Sequence, residues 1–292
     1  MRRVAVLPAR AEGVAAHVGA GLAGVLALAG GRVVCLDLDP VGEAWRRLLP
    51  PGDRPPPGLV EVLLDGGPLG ACLRPVLLRL VGPGPGVRRA AGTVHVGGCD
   101  SRFPLDRAGR ARLRPGALAA CLASRGLRWW FHAALVVTPA LPDVLAERAA
   151  AELDRVLVIV PCSGDAPALA AAVARRLAGL RPSPGRAVRY VLAGAGDPTA
   201  EAAHAAAMRK RLAPWQEGAA DPVSPAVIRL PRAAWPASNP PEETAVGLVA
   251  LACDLERTWR LLGCKRRRLA ALARWMDAAG RPSPGGRRRM GP

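Results

Sequence analysis

Short apolar runs alternate along the chain with longer stretches rich in alanine and leucine. The short runs are apolar at almost every position, which is typical of strands buried on both faces of a sheet. They predict strands at Arg3–Leu7, Val33–Asp37, Thr93–Gly97, Ala133–Val137, Val156–Pro161, Val188–Ala193 and Val227–Leu230. The longer stretches predict helices at Ala15–Ala29, Gly116–Ser124, Asp143–Glu152, Ala166–Leu180, Thr199–Leu212 and Pro241–Leu262. This alternation predicts an α/β fold of three layers, in which a mostly parallel, twisted sheet of about seven strands carries helices on both faces.

Two segments between the second and third strands interrupt this alternation. Pro50–Gly58 and Gly82–Gly86 consist largely of proline and glycine. Because proline lacks an amide donor and has a fixed φ, neither segment can be a helix interior or a central strand. We therefore expect a variable connection here.

The end of the chain differs in composition from the rest. Residues 256–279 predict a basic C-terminal helix, interrupted near Gly263, and residues 280–292 have the composition of a disordered basic tail. The predicted organisation is an α/β domain over 1–255, followed by this helix and tail.

The formal net charge of +18 indicates a polyanionic partner, either nucleic acid or an anionic membrane surface. The stretch from Arg257 to Pro292 holds eleven basic residues against one acid, so it carries more than half of the surplus. Apolar residues interleave with arginines on its helix, which suits docking to a membrane surface or a partner. The alternative is a last helix packed on the body with a solvated charged face. The candidate polyanion contacts are Arg266, Arg267, Arg268, Arg287, Arg288 and Arg289.

Cysteine usage and hydropathy point to the cytoplasm. The seven cysteines are odd in number and show no metal-binding spacing, as expected of free thiols in a reducing compartment. The N-terminus reads as a first strand and not as a signal peptide.

The first strand–loop–helix–strand unit carries the most informative motif. Its second strand reads Gly31-Arg32-Val33-Val34-Cys35-Leu36-Asp37-Leu38-Asp39-Pro40. This run resembles the strand G-K-R-V-L-L-I-D-x-D-P of the ParA/MinD-type P-loop proteins. In a P-loop, backbone amides at a helix start hold phosphates and a lysine reaches the β and γ oxygens. Counting back without a gap places that loop on residues 10–17. The resemblance spans roughly residues 3–255 and implies a P-loop NTPase-like fold.

The loop departs from the family at the residues that carry its chemistry. Gly13 and Val14 are kept, but the P-loop lysine falls on Ala15 and the magnesium-binding hydroxyl on Ala16. Arg10 replaces the signature first lysine, and Glu12 would place a carboxylate beside the phosphates. Without the lysine and the hydroxyl, neither charge neutralisation nor magnesium placement is available.

Two further nucleotide contacts of the family are replaced. Val137 stands where the family has an aspartate, immediately before the retained Thr138 and Pro139. The run Tyr190–Ala193 lies where MinD-like members have an asparagine for the adenine base, and it contains none. The resemblance therefore implies a retained scaffold with a discarded active site, and we expect no cofactor, with ATP and magnesium as the alternative.

The resemblance nominates a nucleotide face made of six residues. These are Arg10, Gly13, Val14, Asp37, Asp39 and Thr138. For the two aspartates the alternative is a structural one, in which a polar strand end caps the next segment. His17 could contact a phosphate or act as a partly exposed capping residue, whereas His95 and His132 are expected to be ordinary sheet residues.

Aromatic residues are rare, at 3% of the chain. Trp129, Trp130 and Phe131 precede the fourth strand, where they could form a partner-binding patch or cap the core. Trp259 and Trp275 fall on the basic C-terminal helix and admit the same two readings.

The leading functional hypothesis is a non-hydrolysing scaffold for localisation or assembly, as in cell division, partitioning, or a pilus or secretion apparatus. Branches of the family with atypical loops, such as the pilus-assembly TadZ/CpaE and septum-site-determining-like proteins, are similar in this respect. The implied partners are proteins of such a machine, with a homodimer across the old nucleotide face. The implied location is the cytoplasm, peripheral at a pole, septum or membrane. The alternatives are a sequence-independent DNA-binding protein of the partitioning type and a divergent, weak ATPase.

Overall fold

A computed structural model of the chain describes most of its residues. They are 1–10, 13–39, 43–50, 52–53, 58–76, 79–81, 87–89, 92–98, 114–180, 187–194, 197–215, 221–230, 242–262 and 266–279. The predicted connection Gly82–Gly86, most of Pro50–Gly58 and the predicted tail at 280–292 lie outside this set.

Ten strands and ten α-helices occur in the described residues. The strands are β1 Arg2–Pro8, β2 Arg32–Asp37, β3 Arg74–Val76, β4 Arg79–Val81, β5 Val87–Arg89, β6 Thr93–Gly98, β7 Ala133–Val137, β8 Arg155–Pro161, β9 Ala187–Ala193 and β10 Val223–Ile228. The helices are α1 Val14–Leu28, α2 Glu43–Leu48, α3 Leu59–Asp65, α4 Ala117–Leu122, α5 Arg125–Trp130, α6 Val144–Glu152, α7 Ala166–Gly179, α8 Pro198–Leu212, α9 Glu242–Trp259 and α10 Arg266–Ala279. Short 3₁₀ turns occupy Leu69–Cys72 and Ala213–Trp215.

Eight of the strands form one sheet in the order β10-β9-β8-β1-β7-β2-β6-β3. All neighbours pair in parallel except β3, which runs antiparallel to β6. The seven predicted strands are all present, and β3 is an added edge strand. The predicted mostly parallel α/β fold is therefore confirmed.

Helices cover both faces of the sheet, which explains why the central strands are apolar throughout. On β1, Val4 and Val6 join the core beneath α1, α2, α9 and α10, whereas Ala5 and Leu7 join the core on the opposite face. Successive strand residues point to opposite faces, so a strand covered on both sides needs apolar residues at every position.

The last strand starts earlier than the sequence predicts. We predict Val227–Leu230, whereas β10 spans Val223–Ile228. Pro225 interrupts the apolar pattern, but β10 is an edge strand and Pro225 is exposed there. Proline is tolerated on an edge because its missing amide need not pair with a neighbour.

Several short elements are absent from the prediction. They are α2, α3, β3, the β4–β5 hairpin and α5, each of three to seven residues. Elements this short span too few turns or side-chain alternations to show a period.

The C-terminal region forms two helices instead of one. The predicted helix Pro241–Leu262 ends at Trp259, because Arg260 has a φ of 53°, a left-handed conformation that stops an α-helix. The predicted helix over 256–279 therefore divides between the end of α9 and α10. Leu255, at the predicted domain boundary, lies buried inside α9, and the domain division stays a prediction.

Among the described residues, no helix combines the length and the apolarity needed to cross a bilayer.

Candidate functional site

The predicted nucleotide face lies at the edge of the sheet where the parallel strands end, which is where open α/β sheets place ligands. There β1 leads through Arg10 towards α1, while β2 and β7 end side by side at Asp37 and Val137. Thr138 follows Val137, and its amide donates to the Val6 carbonyl at 3.2 Å. The fold thus brings the predicted residues of this face to one edge, and their contacts determine what each can do.

Gly13 begins α1 in a left-handed conformation, with φ 66° and ψ −5°. Glycine adopts this conformation without the steric cost that a Cβ imposes. The Gly13 carbonyl accepts the Ala16 amide at 3.1 Å and lies 3.0 Å from Nδ1 of His17. The His17 ring is therefore held at the helix start by a local contact with a carbonyl, and no side chain among the described residues caps the free amides of this helix.

Buried methyl groups occupy the two positions where the resemblance expects the P-loop lysine and hydroxyl. Ala15 and Ala16 belong to the core cluster under α1, and Val14 packs against that cluster partly buried. Neither alanine supplies a cation for a phosphate or an oxygen for magnesium.

Arg10 faces the neighbouring strand end. Its guanidinium pairs with Asp165, which lies immediately before α7, in an exposed ion pair. The Ser163 hydroxyl donates to the same carboxylate at 2.6 Å. The Ser163 hydrogen bond, and after it the Arg10 charge, lowers the pKa of Asp165. Arg10 thus has an anionic partner within the protein.

Asp37 is fully buried and holds the start of α2. Its Oδ2 accepts the amides of Ala44 at 2.8 Å and Trp45 at 3.2 Å, and its Oδ1 accepts the Asp39 amide at 3.1 Å. This is the geometry of a capping carboxylate, and it agrees with the structural alternative. Burial raises the pKa of Asp37 to about 7, and the three amide donors oppose that rise.

Val137 and Thr138 also make internal contacts. A Cβ built on Gly19 of α1 would lie 2.5 Å from Cγ2 of Val137, so this side chain packs directly against the α1 backbone. The Thr138 hydroxyl is buried and donates to the Pro139 carbonyl at 3.0 Å. Asp39 lies half-buried beside them.

A second group of polar residues at this edge was not predicted. Sγ of Cys162, just past β8, lies 3.7 Å from Nδ1 of His204 on α8, and Arg229, just past β10, pairs with Glu201 at 3.4 Å. Burial, and then the Glu201 carboxylate, raises the pKa of the Cys162 thiol, which leaves it a poor nucleophile. The partners are tens of residues apart, so no local spacing reveals them.

The remaining candidates lie away from this edge. His132 lies immediately before β7, where its Nδ1 accepts the Arg32 amide at 3.0 Å. His95, on β6, makes an edge-to-face contact with Phe131, and burial lowers its pKa. Trp259 is buried in the core, which supports the packing alternative for that residue.

Only some of the predicted polyanion contacts lie among the described residues. Arg267 and Arg268 are exposed on α10, which packs on the body through the buried Leu269. Arg266 starts this helix, and Arg287, Arg288 and Arg289 lie outside the described residues.

The described residues do not fit magnesium and ATP by the P-loop route. Ala15, Ala16 and Val137 carry no ligand atoms, and both oxygens of Asp37 are already bonded to amides. Within the described part of the chain, no group of three or more His, Cys, Asp or Glu residues could hold a metal ion.

Comparison with known proteins identifies the fold. No protein-family model matches the sequence, and no curated protein matches it. Cobyrinic acid a,c-diamide synthase from Mycobacterium smegmatis, with ADP and magnesium, is 20% identical, with a TM-score of 0.65 over 89% of this chain and 96% of that one. The septum site-determining protein MinD from Pyrococcus horikoshii, with Mg-ADP, is 16% identical, with a TM-score of 0.62 over 90% and 98%. Apo McdA from Cyanothece is 14% identical, with a TM-score of 0.61 over 93% and 98%.

These likenesses extend over nearly the whole of each chain at low identity. The protein therefore has the fold of the ParA/MinD-type P-loop proteins, as the Gly31–Pro40 motif predicts.

Proposed function

We propose that this protein is a scaffold with the ParA/MinD fold that does not hydrolyse ATP and acts in localisation or assembly. One observation carries the proposal: the two positions of P-loop chemistry, Ala15 and Ala16, are buried in the core under α1. A P-loop needs a cation for the transferred phosphate and an oxygen for magnesium. Neither atom type is present at these positions.

The charged residues of the face support the same proposal. Magnesium at Asp37 would have to compete with three backbone amides, and a phosphate at Arg10 would have to compete with Asp165. Leaving a buried polar group unpaired costs free energy. A ligand that displaced one of these internal partners would therefore have to supply more binding energy than the contact it replaced. These contacts favour a structural role for the charged residues of the face over a role in binding nucleotide.

The structural neighbours alone do not separate a scaffold from an enzyme. They include a septum site-determining protein and a biosynthetic synthase on the same fold. Function is carried by the site and not by the fold, so the contents of the loop support the scaffold.

The proposed partners are proteins of a localisation or assembly machine, bound in the cytoplasm or at a pole, septum or membrane. We also propose that the protein forms a homodimer in which two copies of the chain dock across the former nucleotide face. The basic surplus, including exposed Arg267 and Arg268, supports a polyanion as a further partner.

Calorimetric titration with ATP, with and without magnesium, tests the proposal directly. The expected result is no saturable heat up to millimolar nucleotide and no phosphate release above the buffer blank. Arg10→Ala serves as the site variant and Arg209→Ala as the matched control, since Arg209 also forms an exposed ion pair, with Asp221. Magnesium-dependent binding that Arg10→Ala weakens and Arg209→Ala leaves intact would instead establish the divergent ATPase.

A further inference from the structure

The edge where the strands begin, opposite the loop, gathers arginines from separate elements. Arg2 starts β1 and Arg32 starts β2, and His132 lies between them, accepting the Arg2 amide at 2.9 Å and donating to the Arg32 carbonyl at 2.8 Å. Arg155 starts β8 on the other side of β1. Burial, and then the charge of Arg2, lowers the pKa of Arg155.

The C-terminal helix contributes to the same edge. A Cβ built on Gly30 would lie 2.7 Å from Nη1 of Arg268, so this guanidinium rests against Gly30, two residues before Arg32. Arg267 is exposed next to it. Arginines that the sequence assigns to a separate basic helix therefore extend the basic surface of the sheet edge.

Two tryptophans project from this edge. Trp129 is 77% exposed and Trp130 is 65% exposed, the largest values among the described large hydrophobic residues. Leu127, on the same helix, is buried in the core and anchors α5. The Arg32 guanidinium lies over the Trp130 ring, 5.4 Å from its centroid, which joins the tryptophans to the row of arginines.

We call this surface the Trp–Arg edge. It comprises Arg2, Arg32, Arg128, Trp129, Trp130 and Arg268. The nearby carboxylate of Asp154 is paired with Arg3 at 2.6 Å, so its charge is largely taken up by Arg3 and the arginines of the surface remain in excess.

We propose that the Trp–Arg edge docks on an anionic lipid bilayer. Exposed tryptophan is costly in water and favourable at the headgroup level of a membrane. Arginines beside it attract anionic headgroups, and each contributes about fivefold in partitioning, the equivalent of about 1 kcal/mol. The proposal does not rest on the loss of nucleotide chemistry, because this edge lies at the other end of the strands.

The arrangement favours a bilayer over the other polyanions. A protein surface that binds single-stranded nucleic acid offers open aromatic faces on which bases stack. The Arg32 guanidinium already covers one face of Trp130. A protein interface surrounds its aromatic anchors with further apolar contacts. Here the exposed neighbours of the tryptophans on α5 are Arg125 and Arg128, and the apolar residues beside Trp130, such as Leu73 and Phe131, line a cavity and are only partly exposed. The other exposed large hydrophobics, Val144 and Val246, lie on different helices. Tryptophan side chains surrounded by arginines suit the headgroup layer of an anionic bilayer.

Vesicle flotation of the full chain tests the proposal. We expect binding to vesicles of 70% phosphatidylcholine and 30% phosphatidylglycerol at low salt, and none to phosphatidylcholine alone. Arg2→Gln with Arg128→Gln should weaken partitioning by about 25-fold, and raised salt should abolish it. Trp129→Ala with Trp130→Ala should weaken it at least tenfold and remove quenching of tryptophan fluorescence by brominated lipid.

Val144→Ala with Val246→Ala is the matched control, since it truncates the two exposed large hydrophobics elsewhere and should leave binding unchanged. All these side chains are exposed, so unchanged circular dichroism and melting temperature are expected for every variant. Vesicle binding that survives the tryptophan substitutions would overturn the proposal. The absence of vesicle binding would overturn it too, whether or not the protein binds duplex or single-stranded DNA under the same conditions.

Discussion

Replacing Asp37 by asparagine is expected to remove a pH dependence from the stability of the fold. The unfolded chain releases the Asp37 proton near its ordinary pKa of about 4. Burial raises the pKa in the folded protein to about 7. Between these two values the folded protein holds one proton that the unfolded chain has lost, so unfolding becomes easier as pH rises.

The magnitude follows from the size of the shift. One pH unit corresponds to about 1.4 kcal/mol per proton, so a shift of about three units amounts to about 4 kcal/mol at most. This contribution is fully present below about pH 4 and lost by about pH 7. The asparagine in the Asp37→Asn variant does not titrate, and its side-chain oxygen can still accept the amides of Ala44 and Trp45.

Urea denaturation followed by circular dichroism, at half-unit steps from pH 4.5 to 8, measures the effect. The free energy of unfolding of the native protein minus that of Asp37→Asn should fall by about 1.4 kcal/mol per pH unit below pH 7 and then level off. Asp165→Asn is the control, because the Ser163 hydrogen bond, and then the Arg10 charge, lowers the pKa of that carboxyl, so it has lost its proton in the folded and the unfolded protein throughout this pH range. We expect that control to lack the slope.

A difference that rises with pH would refute the reasoning. It would mean that the three amide donors outweigh burial and hold Asp37 ionised. The carboxylate would then be charged throughout the measured range, with both oxygens still bonded to the three amides.

Two further predictions concern packing and buried charge. Asp254→Ala should lower the free energy of unfolding by about 3–5 kcal/mol, because it leaves the buried Arg189 without the carboxylate that it contacts at 2.5 and 2.7 Å. Arg209→Ala, which breaks an exposed pair, should cost at most about 1 kcal/mol in the same denaturation assay. Gly19→Ala should cost about 1–3 kcal/mol because its Cβ would clash with Val137, and adding Val137→Ala should recover part of that loss in a double-mutant cycle.

Much of the fold can be read from local sequence. Strands buried on both faces are apolar at nearly every position, so β1, β2, β7, β8 and β9 are each recognisable from fewer than ten residues. The run Gly31–Pro40 narrows the fold further, because it retains the polar strand end of the ParA/MinD-type proteins.

The contacts of the candidate site could not be read in the same way. The sequence leaves two readings for Asp37, and the amides of Ala44 and Trp45 favour the capping one. It names Arg10 as a candidate ligand for nucleotide, whereas its ion-pair partner Asp165 is 155 residues further along the chain. No periodic pattern encodes a contact over that distance.

The sequence by itself determined the secondary structure of the central sheet, and it places Ala15 and Ala16 where the resemblance expects a lysine and a hydroxyl. Both are properties of single residues or short runs. Only the tertiary structure decided which charges are already paired and which surfaces face outward, because parallel strands bring distant segments to common edges. It placed Trp130 beside Arg32, and Arg268 beside Gly30, at the end of the sheet opposite the loop.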